Sequence, residues 1–393
     1  MSIQNFRQLR VAYVSSFPPR ECGIATFTSD LVETVDAYDI VAPSVIVAVN
    51  EPGATYDYSD RVHFQIERNS IESYVDAASW VNRSPVDLVN LQHEFGLFGG
   101  RWGEYVLTLL WRLKKPVVTT LHTILPNPSP DLFNVMSEIA RSSSSMVVIN
   151  ELGITILKND YGIGGKITVI PHGSPDIPFV GTDHAKAALG LKGNIVLSTF
   201  GLLSRKKGVE YVINALADMV RQHPEIIYLI IGKTHPEVRK NEGERYRMWL
   251  LKMVESLGLG KHVRFINRFL SKRELIAFLS ATDIYVAPYI DEDQISSGTL
   301  VYALVAGKAI VSTPFLHAQV LLSDGRGLFC KFRDSASISK AIITLLDNTV
   351  LKSEIGKKAY EYGRNFTWPR VGQEYIDHFF NLKNRAQRYE LPS

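Results

Sequence analysis

The chain has 393 residues, 46% of them hydrophobic and 21% charged, with a formal net charge of +3. That length exceeds what one hydrophobic core ordinarily organises and points to two domains, and the apolar share removes any compositional case for disorder. So small a charge neither demands nor excludes nucleic acid, and the longest apolar runs are strand-sized, which excludes a bilayer span. Cys22 and Cys330 stand far apart without close partners, so no disulfide or thiolate-metal framework is expected and the setting reads as reducing and cytoplasmic. Arg7 and Arg10 interrupt the only apolar material after Met1, so no secretory leader is expected.

Short β-branched runs alternate with helix-period segments from end to end, the pattern of parallel sheets covered by helices on both faces. The first series predicts strands at Val11–Ser15, Ser44–Ala48, Leu88–Gln92, Val117–Leu121, Met146–Asn150 and Ile167–Ile170. Behind the first strand, Pro18-Pro19-Arg20-Glu21-Cys22-Gly23-Ile24-Ala25-Thr26 leads into an amphipathic helix. Gly23 there would let backbone N–H groups approach a ligand's oxygens, with Thr26 or Thr28 serving the helix entrance. The three-glycine spacing of a dinucleotide fingerprint is absent, and a plain strand-to-helix turn is the other reading.

After the third strand comes Leu91-Gln92-His93-Glu94-Phe95-Gly96-Leu97-Phe98-Gly99-Gly100. Its polar tips, aromatic rings and glycines suit a sugar surface, met by stacking and hydrogen bonds outside the strands' carboxyl ends. His93-Glu94 is no zinc protease motif, because the second histidine is missing. Thr119-Thr120-Leu121-His122-Thr123 sets His122 at the end of the next strand, and Val169-Ile170-Pro171-His172-Gly173 sets His172 in a turn. Pro171 to Gly193 reads as a linker, dividing the chain near residue 180.

The second series predicts strands at Ile195–Phe200, Ile227–Ile231, Val263–Ile266, Ile284–Ala287 and Ile310–Ser312. In Ser198-Thr-Phe-Gly-Leu-Leu-Ser-Arg-Lys-Lys-Gly208 a strand ending at Gly201 delivers Arg205, Lys206 and Lys207 to the start of a helix, where partial positive charge favours an anion. A second cup, Gln294-Ile-Ser-Ser-Gly-Thr-Leu, again precedes an apolar helix and offers Ser296, Ser297, Gly298 and Thr299. Two such entrances suggest a diphosphate held between them, although each taken alone reads equally as a solvated helix start. The Gly232-Lys233-Thr234 triplet is no P-loop, since Ile227 stands where the leading glycine belongs. Thr367-Trp-Pro-Arg opens a terminal helix, with Thr367 as expected N-cap and Val371, Tyr375, Phe379 and Leu382 at helical spacing. That helix could return to the first domain or finish the second.

With these pieces in order, the chain resembles the GT-B glycosyltransferases of family GT4, and within it the mannosyltransferase-like branch. The similarity covers nearly the full length and rests on the Gly23 loop, LQHEFGLFGG, TTLHT, VIPHG, GLLSRKKG, the strand before the cup, SSGTLVYALVAGKAIV and the terminal FTW helix. It implies an α/β fold of two Rossmann-like doubly wound domains with a cleft between them and a C-terminal crossover helix. The domains would be 1–180 on the acceptor side, 181–366 on the donor side, and a terminal helix over 367–393 packing back on the first. The resemblance implies a retaining hexosyltransferase using a nucleotide sugar, GDP-mannose favoured over a UDP-sugar, on a carbohydrate or glycoconjugate acceptor. No metal and no further cofactor are implied.

The family's phosphate-binding lysine falls on Lys207, and Arg205, His122 and Gln294 complete the expected catalytic set. Gly23, Gly201, Lys206, Ser296, Ser297, Gly298, Thr299 and Tyr302 would meet the donor, and His93, Glu94 and Phe95 the acceptor. Three departures stand out: Leu202 where members usually carry arginine, and Gln294 and Tyr302 where two glutamates stand eight positions apart, the second binding ribose. A glycoside phosphorylase using inorganic phosphate, or a non-catalytic sugar- or partner-binding protein on the same frame, would also tolerate Tyr302. No nucleic acid is expected. Lys114 and Lys115 near Trp111 leave a peripheral membrane contact open, and the acceptor, linkage, donor base and oligomeric state are not legible.

Overall fold

A computed structural model describes residues 8–390; Arg7 and residues 391–393 of the expected terminal helix lie outside them. The chain forms two compact units, one running to Gly173 and resuming at Trp368, the other comprising Ser174–Thr367.

The first unit carries a wholly parallel sheet of seven strands, β1 (Val11–Ser15), β2 (Val45–Asn50), β3 (Val62–Glu67), β4 (Leu88–His93), β5 (Val117–Leu121), β6 (Ser145–Val148) and β7 (Ile167–Val169), in the order β3-β2-β1-β4-β5-β6-β7. Every residue of β1, β2 and β4 is buried, which is why these strands read as continuous apolar runs: helices cover both faces. Strand β3 was not expected. It is an edge strand that alternates apolar and polar residues and buries only Ile66 fully, so it lacks the unbroken β-branched signature.

The second unit carries six parallel strands, β8 (Ile195–Phe200), β9 (Ile226–Ile231), β10 (Val263–Ile266), β11 (Ile284–Ala287), β12 (Ala309–Ser312) and β13 (Leu328–Phe329), ordered β10-β9-β8-β11-β12-β13. The two-residue β13 is too short to leave a periodic signal. Within the expected linker, Asp183–Ala188 forms a short helix. Its Lys186 is buried and ion-paired with Asp283 at 2.6 Å, so this segment is part of the second unit's packing.

The helix Trp368–Glu390 packs on the first unit's helix Gly23–Asp36. Its Val371, Tyr375, Ile376 and Phe379 are buried at helical spacing, in one cluster with Phe27, Leu31 and Val35. Polar ties fix its rotation: Trp368 Nε1 donates to Asp30 at 3.1 Å, His378 Nε2 lies 2.9 Å from Ser145 Oγ, and Lys383 reaches Asp87 at 3.1 Å. Thr367, in extended conformation just before this helix, donates its hydroxyl back to the Arg364 carbonyl at 3.2 Å.

Each sheet's order reverses once, between β1 and β4 in the first unit and between β8 and β11 in the second. In open parallel sheets the crevice outside the carboxyl ends at such a reversal is where ligands bind. The loops after those four strands contain most of the candidate residues.

Candidate functional site

In the second unit, β8 releases its backbone through Gly201 at φ +124, a conformation side chains rarely adopt. A Cβ there would lie 3.2 Å from Thr299 Cγ2 and 3.6 Å from Lys207 Nζ, so glycine keeps the space between those groups open. Arg205–Lys207 form one 3-10 turn, closed by Gly208 in the left-handed conformation, before the helix Val209–Gln222 begins. Three residues per turn send three consecutive side chains in three directions.

The cations are thereby separated. Arg205 lies over the Tyr246 and Trp249 rings, 5.1 and 5.9 Å from their centroids, and 3.6 Å from Glu242. Lys206 pairs with Asp291 at 2.7 Å on the exposed surface. Lys207 alone is brought to Gly201, its Nζ 3.9 Å from the centroid of the Tyr289 ring. The expectation that all three gather on one anion is corrected: Arg205 and Lys206 are held elsewhere by the 3-10 geometry.

Tyr289, fully buried just after β11, is a residue the sequence reading missed. Its hydroxyl is 2.6 Å from Thr299 Oγ1, which is 3.2 Å from Ser297 Oγ. Burial would raise the phenol's pKa, but the Lys207 ammonium and the Thr299 hydroxyl outweigh it and draw the group below its ordinary range. Ser297 caps the helix Gly298–Val305, its Oγ accepting from Leu300 N at 3.3 Å. His317, also missed, accepts the Ser297 N–H on Nδ1 at 2.9 Å and so fixes the cup's backbone. Lys207, Tyr289, Thr299 and Ser297 thus converge beside Gly201 at the second sheet's reversal point, where an ammonium and a helix entrance can share an anion.

Two further candidates sit differently from expectation. Gln294 turns its Nε2 onto the Ser296 carbonyl at 2.7 Å, so one of its two amide N–H donors is used within the loop. Tyr302 is 8% exposed and packs toward Phe200, ring centroids 6.1 Å apart, because every position from Leu300 to Val305 faces the core. It is a packing residue and not an open ribose contact.

In the first unit, Cys22 rather than Thr26 or Thr28 caps the helix Gly23–Asp36, its sulfur accepting from Ala25 N at 3.4 Å and lying 3.1 Å from Ser16 Oγ. The threonine hydroxyls instead donate back to the Cys22 and Ile24 carbonyls. Gly23 is exposed with open space around a would-be Cβ. His93, expected on the acceptor surface, is 0% exposed, stacked on Phe98, and neither ring nitrogen has a hydrogen-bond partner. Burial lowers its pKa to about 4. Glu94 accepts from Phe95 N at 3.0 Å and from the Thr123 hydroxyl at 2.6 Å, and half-buried Phe95 sets its ring edge-on to His93 and Trp102.

His122 is buried just past β5, with Nε2 2.8 Å from Gln92 Oε1. Phe27 stands edge-on to His122, His172 and Trp368, at 4.7, 5.0 and 5.2 Å between centroids. Burial, and then His172 and His93, bring the His122 pKa down to about 3, so at neutral pH it is an uncharged hydrogen-bonding group. Among the described residues no group of three or more His, Cys, Asp or Glu side chains could hold a metal ion, and no helix is long and apolar enough to cross a membrane.

A family model described as "Glycosyl transferases group 1" matches residues 181–362, within the second unit. An uncharacterised glycosyltransferase of Methanocaldococcus jannaschii is 29% identical over 49% of this chain and 47% of its own length, so the chain spans about half of that relative. The phosphatidyl-myo-inositol mannosyltransferase of Mycobacterium leprae is 23% identical over 72% of this chain and 73% of its own. Among solved structures, Anabaena HepE in complex with UDP and glucose aligns over 95% of this chain and 100% of its own at a TM-score of 0.76 and 16% identity. The second unit thus matches the group 1 glycosyltransferase family model, and the fold across both units is that of the GT-B glycosyltransferase structures.

Proposed function

We propose that the protein is a retaining hexosyltransferase that takes mannose from GDP-mannose, with a UDP-sugar as the alternative donor. The observation that carries this reading is the convergence of Lys207, the Gly201 backbone and the Ser297–Thr299 helix entrance at the second sheet's reversal point. Such a cup suits the diphosphate of a nucleotide sugar. As the bond between the sugar's anomeric carbon and the phosphate oxygen breaks, negative charge collects on the leaving diphosphate, and Lys207 with the helix-entrance N–H groups stabilises it. The acceptor's oxygen forms the new bond to that carbon, and its proton passes to a phosphate oxygen of the leaving group. The family resemblance assigns the sugar and acceptor hydroxyls to loops of the first unit, around His122, Glu94 and Phe95.

The mannosyl donor is supported by the mannosyltransferase among the relatives and the UDP alternative by the HepE complex. A phosphorylase is the second reading, favoured by one observation: buried Tyr302 supplies no carboxylate for a ribose. Calorimetric titration with GDP, UDP and inorganic phosphate separates them. Tight nucleotide binding supports transfer, phosphate binding alone supports phosphorolysis, and binding of none of the three refutes both.

A further inference from the structure

His122 ends a buried hydrogen-bonded chain whose direction is set at the far end by a backbone carbonyl. Asn90, wholly buried on β4, donates from Nδ2 to the Val118 carbonyl at 3.0 Å and toward Thr120 Oγ1 at 3.2 Å. A carbonyl has no proton to give, so the amide nitrogen of Asn90 must face it and Oδ1 is left to accept. Gln92 fills that need, Nε2 to Asn90 Oδ1 at 2.5 Å, which turns Gln92 Oε1 toward His122 Nε2 at 2.8 Å. An acceptor facing a ring nitrogen of a neutral imidazole requires the proton on that nitrogen.

We infer that Asn90 and Gln92 are positioning residues that hold His122 as its Nε2–H tautomer and leave Nδ1 as a lone pair, so that the sugar contact the family resemblance implies for His122 is made through an acceptor. Phe27, edge-on at 87°, fixes the ring plane, and Thr120 Oγ1, 3.2 Å from Tyr375 OH, ties the chain to the terminal helix. Asn90 was not singled out from the sequence, where it reads as an isolated polar break in an apolar strand, and Gln92 stood out only as part of the motif that follows. Only the register β4 to β5, which pairs Asn90 with Val118 and Gln92 with Thr120, brings the chain together.

The tautomer stands independently of what the protein does; the sugar hydroxyl rests on the transferase reading above. The test is nitrogen-15 spectroscopy at pH 8 on the full chain labelled at histidine, with the His122 signals identified by their loss in His122→Gln. The wild-type protein should show Nδ1 and Nε2 at opposite ends of the imidazole range, with a slowly exchanging proton on Nε2. In Gln92→Met the two signals should move toward each other as the tautomers mix, and Gln92→Glu, which keeps an acceptor, should restore the separation. Addition of GDP-mannose, and in a second titration UDP-glucose, should move Nδ1 and leave Nε2 in place.

A proton on Nδ1, or averaged signals, in the wild-type protein overturns the assignment without any variant being needed. Unchanged signals in a folded Gln92→Met overturn the role of the chain. If a nucleotide sugar binds by calorimetry yet Nδ1 does not move, the sugar contact is refuted; if neither binds, the transferase reading fails while the tautomer result stands on its own.

Discussion

Replacing Lys207 by methionine removes the ammonium while keeping a stem of similar length. The lysine is half-buried, with Nζ 3.9 Å from the Tyr289 ring centroid and beside the Gly201 backbone. A charge pair about 4 Å apart at an effective dielectric near 20 is worth roughly 4 kcal/mol, and loss of one preorganised oxyanion donor elsewhere costs about 3–4 kcal/mol. Both estimates give a fall in kcat/KM of about 10²- to 10³-fold. Lost cation–π attraction of about 1–2 kcal/mol is small against a domain stability of roughly 5–15 kcal/mol, so the fold survives. The control is Lys206→Met. Its ammonium sits in an exposed ion pair worth about 0–1 kcal/mol, and activity should stay within about threefold of wild type. Steady-state transfer from GDP-mannose, with GDP affinity measured by calorimetry, reads both variants. Equal losses in the two, or unchanged kinetics in Lys207→Met, would refute the division of labour that the 3-10 turn imposes.

Gly232→Ala would put a Cβ 2.0 Å from the Gly201 carbonyl oxygen at a backbone φ of +128, so strain of about 1–3 kcal/mol or more should lower the urea midpoint and disturb the phosphate cup together. Trp368→Phe keeps a ring against Phe27 but removes the indole N–H from Asp30, which is 3% exposed; a loss of about 1.5–3 kcal/mol in equilibrium unfolding is expected, and an unchanged midpoint would contradict the bond's importance. His93 and His122 titrate at about 4 and about 3 in the folded chain, below the ordinary value of 6.5. The unfolded chain therefore binds more protons between these limits, so stability is full above about pH 6.5 and is lost on acidification toward 4, by roughly 1–2 kcal/mol per pH unit for each ring. Denaturant midpoints between pH 7 and pH 4.5 would show this fall, and a flat profile would mean the rings are not held neutral.

The parallel sheets were legible because their inner strands are buried on both faces and read as apolar runs, broken by few polar residues such as the paired Asn90 and Gln92. Edge strand β3 was not, because Val62-His-Phe-Gln-Ile-Glu67 mixes the signals of a half-covered strand and a loop. At the site, the glycine and cation motif was visible while its internal division was not. Arg205, Lys206 and Lys207 are chemically alike in sequence, and only Gly208, as the left-handed stop that ends a one-turn helix before the main one, sends them apart. The histidines were placed correctly at the ends of β4 and β5, but whether His93 lies open or under Phe95 and Phe98 depends on the path of the following loop. Periodicity does not report that path.

The division of the cations changes how the cup must work. On the transfer reading proposed above, a diphosphate leaving group would carry more charge than Lys207 alone neutralises, so the remainder would fall to oriented dipoles: the entrance of the helix Gly298–Val305 and the hydroxyls of Ser297 and Thr299. Those dipoles count only if they cannot turn away, and each is held from behind. Ser297 N is fixed on His317 Nδ1, Thr299 Oγ1 lies against the Tyr289 hydroxyl, and Gly208 lets the Lys207 turn press against the Pro288 carbonyl, where any Cβ would come within 2.1 Å. Tyr289 performs two tasks there, its ring face lowering the cost of a half-buried ammonium and its hydroxyl orienting Thr299. Tyr289→Phe should therefore keep the ring under Lys207 and lose the hydroxyl's contacts to Thr299 and Lys207. A fall in kcat/KM of about tenfold is expected, well short of the loss in Lys207→Met. A Tyr289→Phe variant as impaired as Lys207→Met would show that the hydroxyl, and not the ring, holds the cation.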